Sequence, residues 1–411
     1  MRILIANDLH WPYVSGVASA VKTLAQGLSQ EKHTVMVLAP SSTGRNCKER
    51  EGGYDLMRIR SLPLPFKKNL RVTVSYDREI KKVIEDFKPD IIHVHTQMTI
   101  GLTVLRVASQ IGIPAVATNH LMPDNLINNV KALTPLRRTT TYLMNEYGMM
   151  LYKDARRIIM PTESVISMFN GERTDAPIVA ISNGIDLSHY STRKPRDYIY
   201  DKFDIPRGKR TVLWVGRLDG EKHLDIALRA FAKLAPSRDD LHFVMVGQGN
   251  AESDLIDLVE DLGIAEQVTF TGLVSEEDKY ELHRVPTMFV VPSPNELQCL
   301  AMLESMACGK PVVAVDAGAL AELVYHDENG YLVSVDDVDG FSRSMAMILD
   351  KPERIEAFGK RSRKNAEVHD VRVVIKRFVG LYKEVIQEAG PNEKRGSRNV
   401  LKKFLAKRSS S

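Results

Sequence analysis

The chain has 411 residues, 44% of them hydrophobic and 26% charged, which is too long for one ordinary α/β domain and enough apolar material for two cores. A net charge of +4 is too mild to imply nucleic acid as a partner. Three cysteines, Cys47, Cys299 and Cys308, form no CxxC pair and no even framework; this argues against a disulfide scaffold or structural zinc and for a reducing compartment.

The opening Met1-Arg2-Ile3-Leu4-Ile5-Ala6 is apolar, but Asn7, Asp8 and His10 interrupt it before a signal-peptide core can form. No apolar run approaches the roughly 18–20 residues needed to span a bilayer. A cytoplasmic protein, soluble or peripheral, is expected. Short runs rich in Val and Ile, with the character of strands buried on both faces, alternate with helical periodicity. Strands are predicted near residues 2–8, 33–40, 90–96, 114–120, 157–161 and 178–183, then near 210–217, 241–247, 268–272, 288–292, 311–316 and 331–335. Helices at 17–30, 224–234, 252–262 and 301–308 lie between them. This alternation, repeated twice, predicts two parallel, doubly wound sheets. The boundary is expected near 186–197, where Asn183-Gly184 ends a strand and a polar stretch follows.

Two stretches carry the chemistry. In Pro292-Ser-Pro-Asn-Glu296-Leu-Gln-Cys-Leu-Ala-Met-Leu-Glu304, a strand ends and a loop opens a helix, with seven residues between the glutamates. Ligands of open α/β sheets bind outside the carboxyl ends of the strands, where helix N-termini and loop N–H groups meet hydroxyls and diphosphates. Glu296 can accept from sugar hydroxyls, and Glu304, about two turns on, can reach a ribose diol. A solvated helix face is the competing reading. In Val212-Leu-Trp-Val-Gly216-Arg217-Leu-Asp-Gly220-Glu-Lys222, a buried strand runs into a glycine turn followed by two cations five apart. A guanidinium fork and an ammonium suit a diphosphate, and they would stabilise the charge that a leaving nucleoside diphosphate gains. A surface loop with solvated charges would look the same.

Together these stretches, in this order, resemble the retaining glycosyltransferases of family 4. The markers are the Glu-x7-Glu element (Glu296, Glu304), the Gly-Arg-x4-Lys loop (Gly216, Arg217, Lys222) and Ser182-Asn183-Gly184-Ile185-Asp186 at the domain junction. The resemblance implies the GT-B fold: two Rossmann-like, doubly wound parallel-sheet domains facing a central cleft. It implies residues 1–186 as the acceptor-binding domain, 187–370 as the nucleotide-sugar domain, a helix at 371–390 returning to the first domain, and a tail at 391–411. It assigns Arg217 and Lys222 to the donor diphosphate, Glu296 to the donor sugar and Glu304 to the ribose.

The first domain fits the same family. Trp11-Pro-Tyr-Val-Ser15-Gly16 stands where the family has a Gly-rich turn, and a small residue there lets backbone approach a phosphate. Only Gly16 remains of the usual glycine pair, and an ordinary strand-to-helix turn is the alternative. His120 ends a strand where such enzymes often carry a histidine facing the donor sugar, although a lone histidine at a strand end is more often structural. Gly247-Gln-Gly249 is placed to line the nucleotide pocket but lacks the third glycine of a dinucleotide fingerprint. Asp337-Val-Asp339 matches a metal-binding Asp-x-Asp, yet its place at a helix start is better explained by capping, so no metal and no cofactor is expected. The Met-rich stretch at 142–150 reads as packing.

The loop with Gln298 and Leu300, and Thr118-Asn-His120-Leu-Met-Pro-Asp-Asn125, look closest to the branch that glycosylates membrane lipids such as diacylglycerol. Cys299 stands where that branch usually has glycine. UDP-glucose is the favoured donor, with GDP-mannose as the alternative. Cations at Lys67, Lys68, Arg71, Lys81, Lys82, Arg137 and Arg138, and a tail with Val400, Leu401, Phe404 and Leu405 amid lysines and arginines, imply attachment to the cytoplasmic face of an anionic membrane. A disordered basic tail is the plainer reading. A soluble saccharide or small-alcohol acceptor, a sugar-nucleotide epimerase and a non-catalytic nucleotide-sugar-binding protein are the competing functions. An NAD-dependent oxidoreductase would need a G-x-G-x-x-G after the first strand, which is missing.

Overall fold

A computed structural model of the chain describes residues 1–10, 15–63, 71–74, 77–96, 98–120, 152–168 and 176–390. The expectations for residues 11–14, 67–68, 121–125, 137–138, 142–150 and the tail from 394 fall outside them. The described residues form two compact units. One takes those within 1–184 together with Val371–Ala389, and the other runs from Ile185 to Asp370.

The first unit carries β1 (Arg2–Ala6), α1 (Gly16–Gln30), β2 (Thr34–Pro40), β3 (Cys47–Glu51), β4 (Tyr54–Ile59), β5 (Ser61–Pro63), β6 (Arg71–Thr73), α2 (Asp77–Phe87), β7 (Ile91–Val94), α3 (Thr99–Ile111), β8 (Ala115–Thr118), β9 (Arg157–Met160), α4 (Glu163–Met168) and β10 (Ile178–Ala180). Its eight-stranded sheet runs β10-β9-β8-β7-β1-β2-β4-β3. The central strands are parallel and buried on both faces, as their unbroken Ile/Val/Leu runs require. The expected all-parallel sheet is corrected at its rim: β3 pairs antiparallel with β4, and β5 and β6 form a separate antiparallel hairpin. β3 reads Cys-Lys-Glu-Arg-Glu because an edge strand is kept charged, which hides it from any search for apolar runs.

The polar residues that interrupt the apolar opening have a structural task. Asp8 accepts from the backbone N–H groups of Ile100 (2.7 Å) and Gly101 (3.2 Å) and from the hydroxyls of Thr96 (2.8 Å) and Thr99 (3.0 Å). One carboxylate thus ties the end of β1 to the start of α3, where the helix leaves N–H groups without intrahelical partners.

The second unit carries α5 (Tyr198–Lys202), β11 (Arg210–Val215), α6 (Leu224–Ala232), β12 (Leu241–Val246), α7 (Glu252–Asp261), β13 (Val268–Gly272), α8 (Glu276–Leu282), β14 (Met288–Val291), α9 (Leu300–Ala307), β15 (Val312–Val315), β16 (Gly330–Val333), α10 (Val338–Leu349) and α11 (Pro352–Glu367). Its sheet is wholly parallel, in the order β13-β12-β11-β14-β15-β16. That is a doubly wound sheet whose order reverses between β11 and β14, the topological switch point where such sheets take ligands. Both sequence stretches singled out for chemistry leave the carboxyl ends of these two strands.

The chain then returns to the first unit as α12 (Val371–Ala389). Val374, Ile375, Phe378, Tyr382 and Val385 enter the same apolar cluster as Val21, Leu24 and Leu28 of α1. Each such side chain, fully buried, contributes about 1.5–3 kcal/mol. Gly27 on α1 makes the approach feasible, since a Cβ there would lie 2.7 Å from Ile375 Cγ1.

Candidate functional site

In the second unit, β11 delivers Gly216 and Arg217, and a single turn of 3-10 helix at Gly220–Lys222 follows. The Arg217 guanidinium pairs with the carboxylates of Asp219 and Glu221. Lys222 Nζ lies 2.8 Å from Glu296 Oε1 and 3.8 Å from the fully buried Glu221. Burial pulls the Lys222 ammonium down, but Glu296 and Glu221 together hold it above its ordinary value, so it stays charged. The Lys222–Glu296 bond joins the Gly-Arg-x4-Lys loop to the loop after β14. A solvated surface loop is therefore excluded for Lys222 and Glu296, whose side chains are only 12% and 14% exposed.

Gly247 stands at the end of β12 with φ +131°, and a Cβ there would come within 2.0 Å of the Gly216 carbonyl oxygen. Its glycine lets two strand-end turns touch backbone to backbone, a packing role in addition to the expected pocket lining. The loop carrying Glu296 is pinned from β15's side, where the Ala319 N–H donates to the Glu296 carbonyl at 3.3 Å. Gln298 is buried beside it. Cys299 precedes α9 with φ +49°, a left-handed conformation that favours glycine, and its carbonyl accepts from Met302 N at 3.1 Å. Leu300 opens α9 and packs against the core of this unit.

Glu304, one turn into α9, does not stand on a solvated face. Lys279 Nζ lies 3.2 Å from Oε1, and His283 Nε2, completely buried just past the end of α8, lies 3.0 Å from Oε2. Burial alone would raise the carboxyl, but Lys279, His283 and the Tyr190 hydroxyl outweigh it and hold Glu304 at about 2.

In the first unit, Ser15 caps α1 by accepting from Ala18 N at 3.1 Å, and among the described residues nothing lies within 4 Å of where a Cβ on Gly16, the first residue of the helix, would stand. His120 sits at the end of a row of histidines: its Nε2 is 3.0 Å from His95 Nδ1, and the rings of His95 and His93 lie 4.0 Å apart. His93 is held by the Tyr382 hydroxyl and by Thr118 Oγ1, both at 2.7 Å. Burial pushes His120 down to about 4 and His93 to about 3, so all three rings are neutral near pH 7.

Of the expected residues, the second unit brings together Gly216, Arg217, Lys222, Glu296, Gln298, Leu300 and Glu304 around the ends of β11 and β14, while Gly16 and His120 belong to the first unit. Sequence reasoning missed Asp219, Glu221, Lys279, His283, His95 and Tyr190. His93-x-His95 puts two histidines on one strand face, and Lys279 and His283 are four apart at a helix end, so a signal for each pair was there. Asp337 accepts from Gly340 N at 2.7 Å as the cap of α10, and Asp339 pairs with Lys233 at 2.9 Å. Among the described residues, no group of three or more His, Cys, Asp or Glu could hold a metal ion, and no helix is long and apolar enough to cross a membrane.

Known proteins similar to this chain fall among the glycosyltransferases. Residues 14–189 match the family described as Glycosyltransferase Family 4, and residues 196–365 match Glycosyl transferases group 1. The chain is similar to the alpha-monoglucosyldiacylglycerol synthase of Streptococcus pneumoniae, 26% identical over 76% of this chain and 71% of the relative. It is also similar to a GDP-mannose-dependent alpha-mannosyltransferase of Mycolicibacterium smegmatis, 27% identical over 94% of this chain and 98% of that one. Among solved structures it resembles Anabaena HepE in complex with UDP-glucose, with a TM-score of 0.73 and 18% identity over 93% of this chain and 100% of the other, a likeness of fold.

Proposed function

The chain belongs to glycosyltransferase family 4, with the GT-B fold, and from that premise we propose that it transfers glucose from UDP-glucose to a membrane lipid such as diacylglycerol, with retention at the anomeric carbon. In that reaction the bond between the anomeric carbon and the β-phosphate oxygen breaks. The acceptor oxygen bonds to the same carbon and loses its proton, and the nucleoside diphosphate leaves with added negative charge. Arg217 and Lys222 offset that charge, Glu296 accepts from the sugar hydroxyls and Glu304 accepts from the ribose. Gly216, Gly247, Gln298 and Leu300 shape the pocket around them. The two side-chain cations would serve in place of a metal at the leaving group.

The observation that carries this reading is the 2.8 Å Lys222–Glu296 bond at the switch point of the second sheet. It sets an ammonium suited to a phosphate beside a carboxylate suited to sugar hydroxyls, which supports a sugar-diphosphate ligand. The lipid acceptor is supported by the name of the pneumococcal relative and by two exposed apolar side chains, Leu62 in β5 and Val74 just after β6. The name of the mycobacterial relative keeps GDP-mannose as the second donor to test.

The experiment is a matrix of UDP-glucose and GDP-mannose against diacylglycerol in vesicles and soluble saccharides, with products separated by chromatography. Glucosyl-diacylglycerol is the expected product. Transfer only to soluble acceptors would replace the lipid reading, and transfer only from GDP-mannose would replace the donor.

A further inference from the structure

The carboxylate of Glu304 is enclosed from three sides by groups of other segments. Lys279 reaches Oε1 from α8, His283 lies against Oε2, and the Tyr190 hydroxyl bonds to the same group. Lys279 is itself restrained. Its Nζ is 3.3 Å from Glu276 and 5.8 Å from the centre of the Tyr280 ring, and that ring stacks on His189 at 4.5 Å. With 18% of its side chain exposed against 13% for Glu304, this is a built pair and not a surface ion pair. An ionised carboxylate offers about four lone-pair directions. Lys279 takes one on Oε1 and the buried His283 ring closes in on Oε2, so the directions left for a ligand are few.

We propose that Lys279 is a positioning residue: it orients the Glu304 carboxylate so that a remaining lone pair meets a ribose hydroxyl, which makes the donor site selective for ribonucleotides over 2′-deoxyribonucleotides. The inference rests on the reading of Glu304 as the ribose contact. An anionic, acceptor-only group fixed in this way attracts a hydroxyl donor and repels a phosphate, so its ligand is the diol. Without Lys279 the carboxylate either turns freely or takes up a proton, because a buried anion that loses its cation is costly. In both cases the fixed acceptor is lost while Arg217 and Lys222 are untouched.

The test is calorimetric titration of the full chain with UDP and 2′-deoxy-UDP, repeated with GDP and 2′-deoxy-GDP. Wild type is expected to prefer the ribonucleotide of its own base by on the order of tenfold or more, as a hydrogen bond to a charged group allows. Lys279→Met should erase the preference while leaving 2′-deoxy affinity nearly unchanged, which also shows that the variant is folded. Lys279→Gln, which keeps an N–H donor for Oε1, should recover much of it. A preference that survives in Lys279→Met, or an equal loss of affinity for both probes, would overturn the positioning role. If wild type shows no preference, or Glu304→Ala retains one, the ribose reading of Glu304 itself fails.

Discussion

Cys299 holds φ +49° at the mouth of α9, a conformation that costs a residue with a Cβ roughly 1–2 kcal/mol. Glycine would adopt it freely but has more freedom to lose on folding. Cys299→Gly is therefore expected to stabilise the protein by about 1 kcal/mol or less, read from the denaturant midpoint at constant slope. A clear loss of stability would mean that the half-buried thiol contributes more by packing than the backbone loses by strain. Glu296, Glu304, Arg217 and Lys222 could be singled out as candidates because the spacing within each stretch is local and the chemistry of each residue type is restricted. The partners that tune them were not. Lys279 and His283 lie some twenty residues upstream of Glu304, and only the fold sets α8 against α9.

At the scale of elements, the parallel strands and the long helices were readable from apolar runs and periodicity, and the observed bounds differ by a residue or two at most ends. What escaped was the rim of the first sheet. β3 carries charges, and β4 alternates buried and half-buried residues, so neither resembles a strand buried on both faces. Gly52-Gly53, with φ +51° and +95°, was the hairpin signal between them. The histidines at the ends of β7 and β8 carry a prediction of their own. His93 and His120 have folded-state values of about 3 and 4 against 6.5 in the unfolded chain, and His95 is depressed as well. The unfolded chain therefore takes up protons that the folded one refuses. Their stabilising contribution is complete above pH 6.5 and is lost progressively as the pH falls through 4 to 3. Urea midpoints should decline from pH 6.5 downward, and a flat profile between pH 7 and 4 would contradict neutral burial.

For the whole molecule, membrane attachment is the proposal that depends most on residues beyond the individual sites. The segment from Lys394 carries seven Lys and Arg and no acidic residue. Each cation close to an anionic surface contributes about 1 kcal/mol, so a basic segment of this size could hold the enzyme reversibly. Vesicle sedimentation should show binding to anionic but not neutral lipid, weakened by salt and reduced when residues 394–411 are removed. Equal binding to both lipids, or none at low salt, would move the acceptor to the soluble class.

The central claim is that the ends of β11 and β14 form a donor site in which side-chain cations, without a metal, carry the leaving diphosphate. Turnover of UDP-glucose with diacylglycerol in the presence of EDTA, measured for wild type and Lys222→Ala, tests it most directly. Wild type should keep its activity in EDTA, and the variant should lose on the order of 10²–10³ in kcat, the usual consequence of removing one transition-state donor. Abolition of wild-type activity by EDTA with recovery on adding magnesium or manganese, or near-normal kcat in Lys222→Ala, would contradict it.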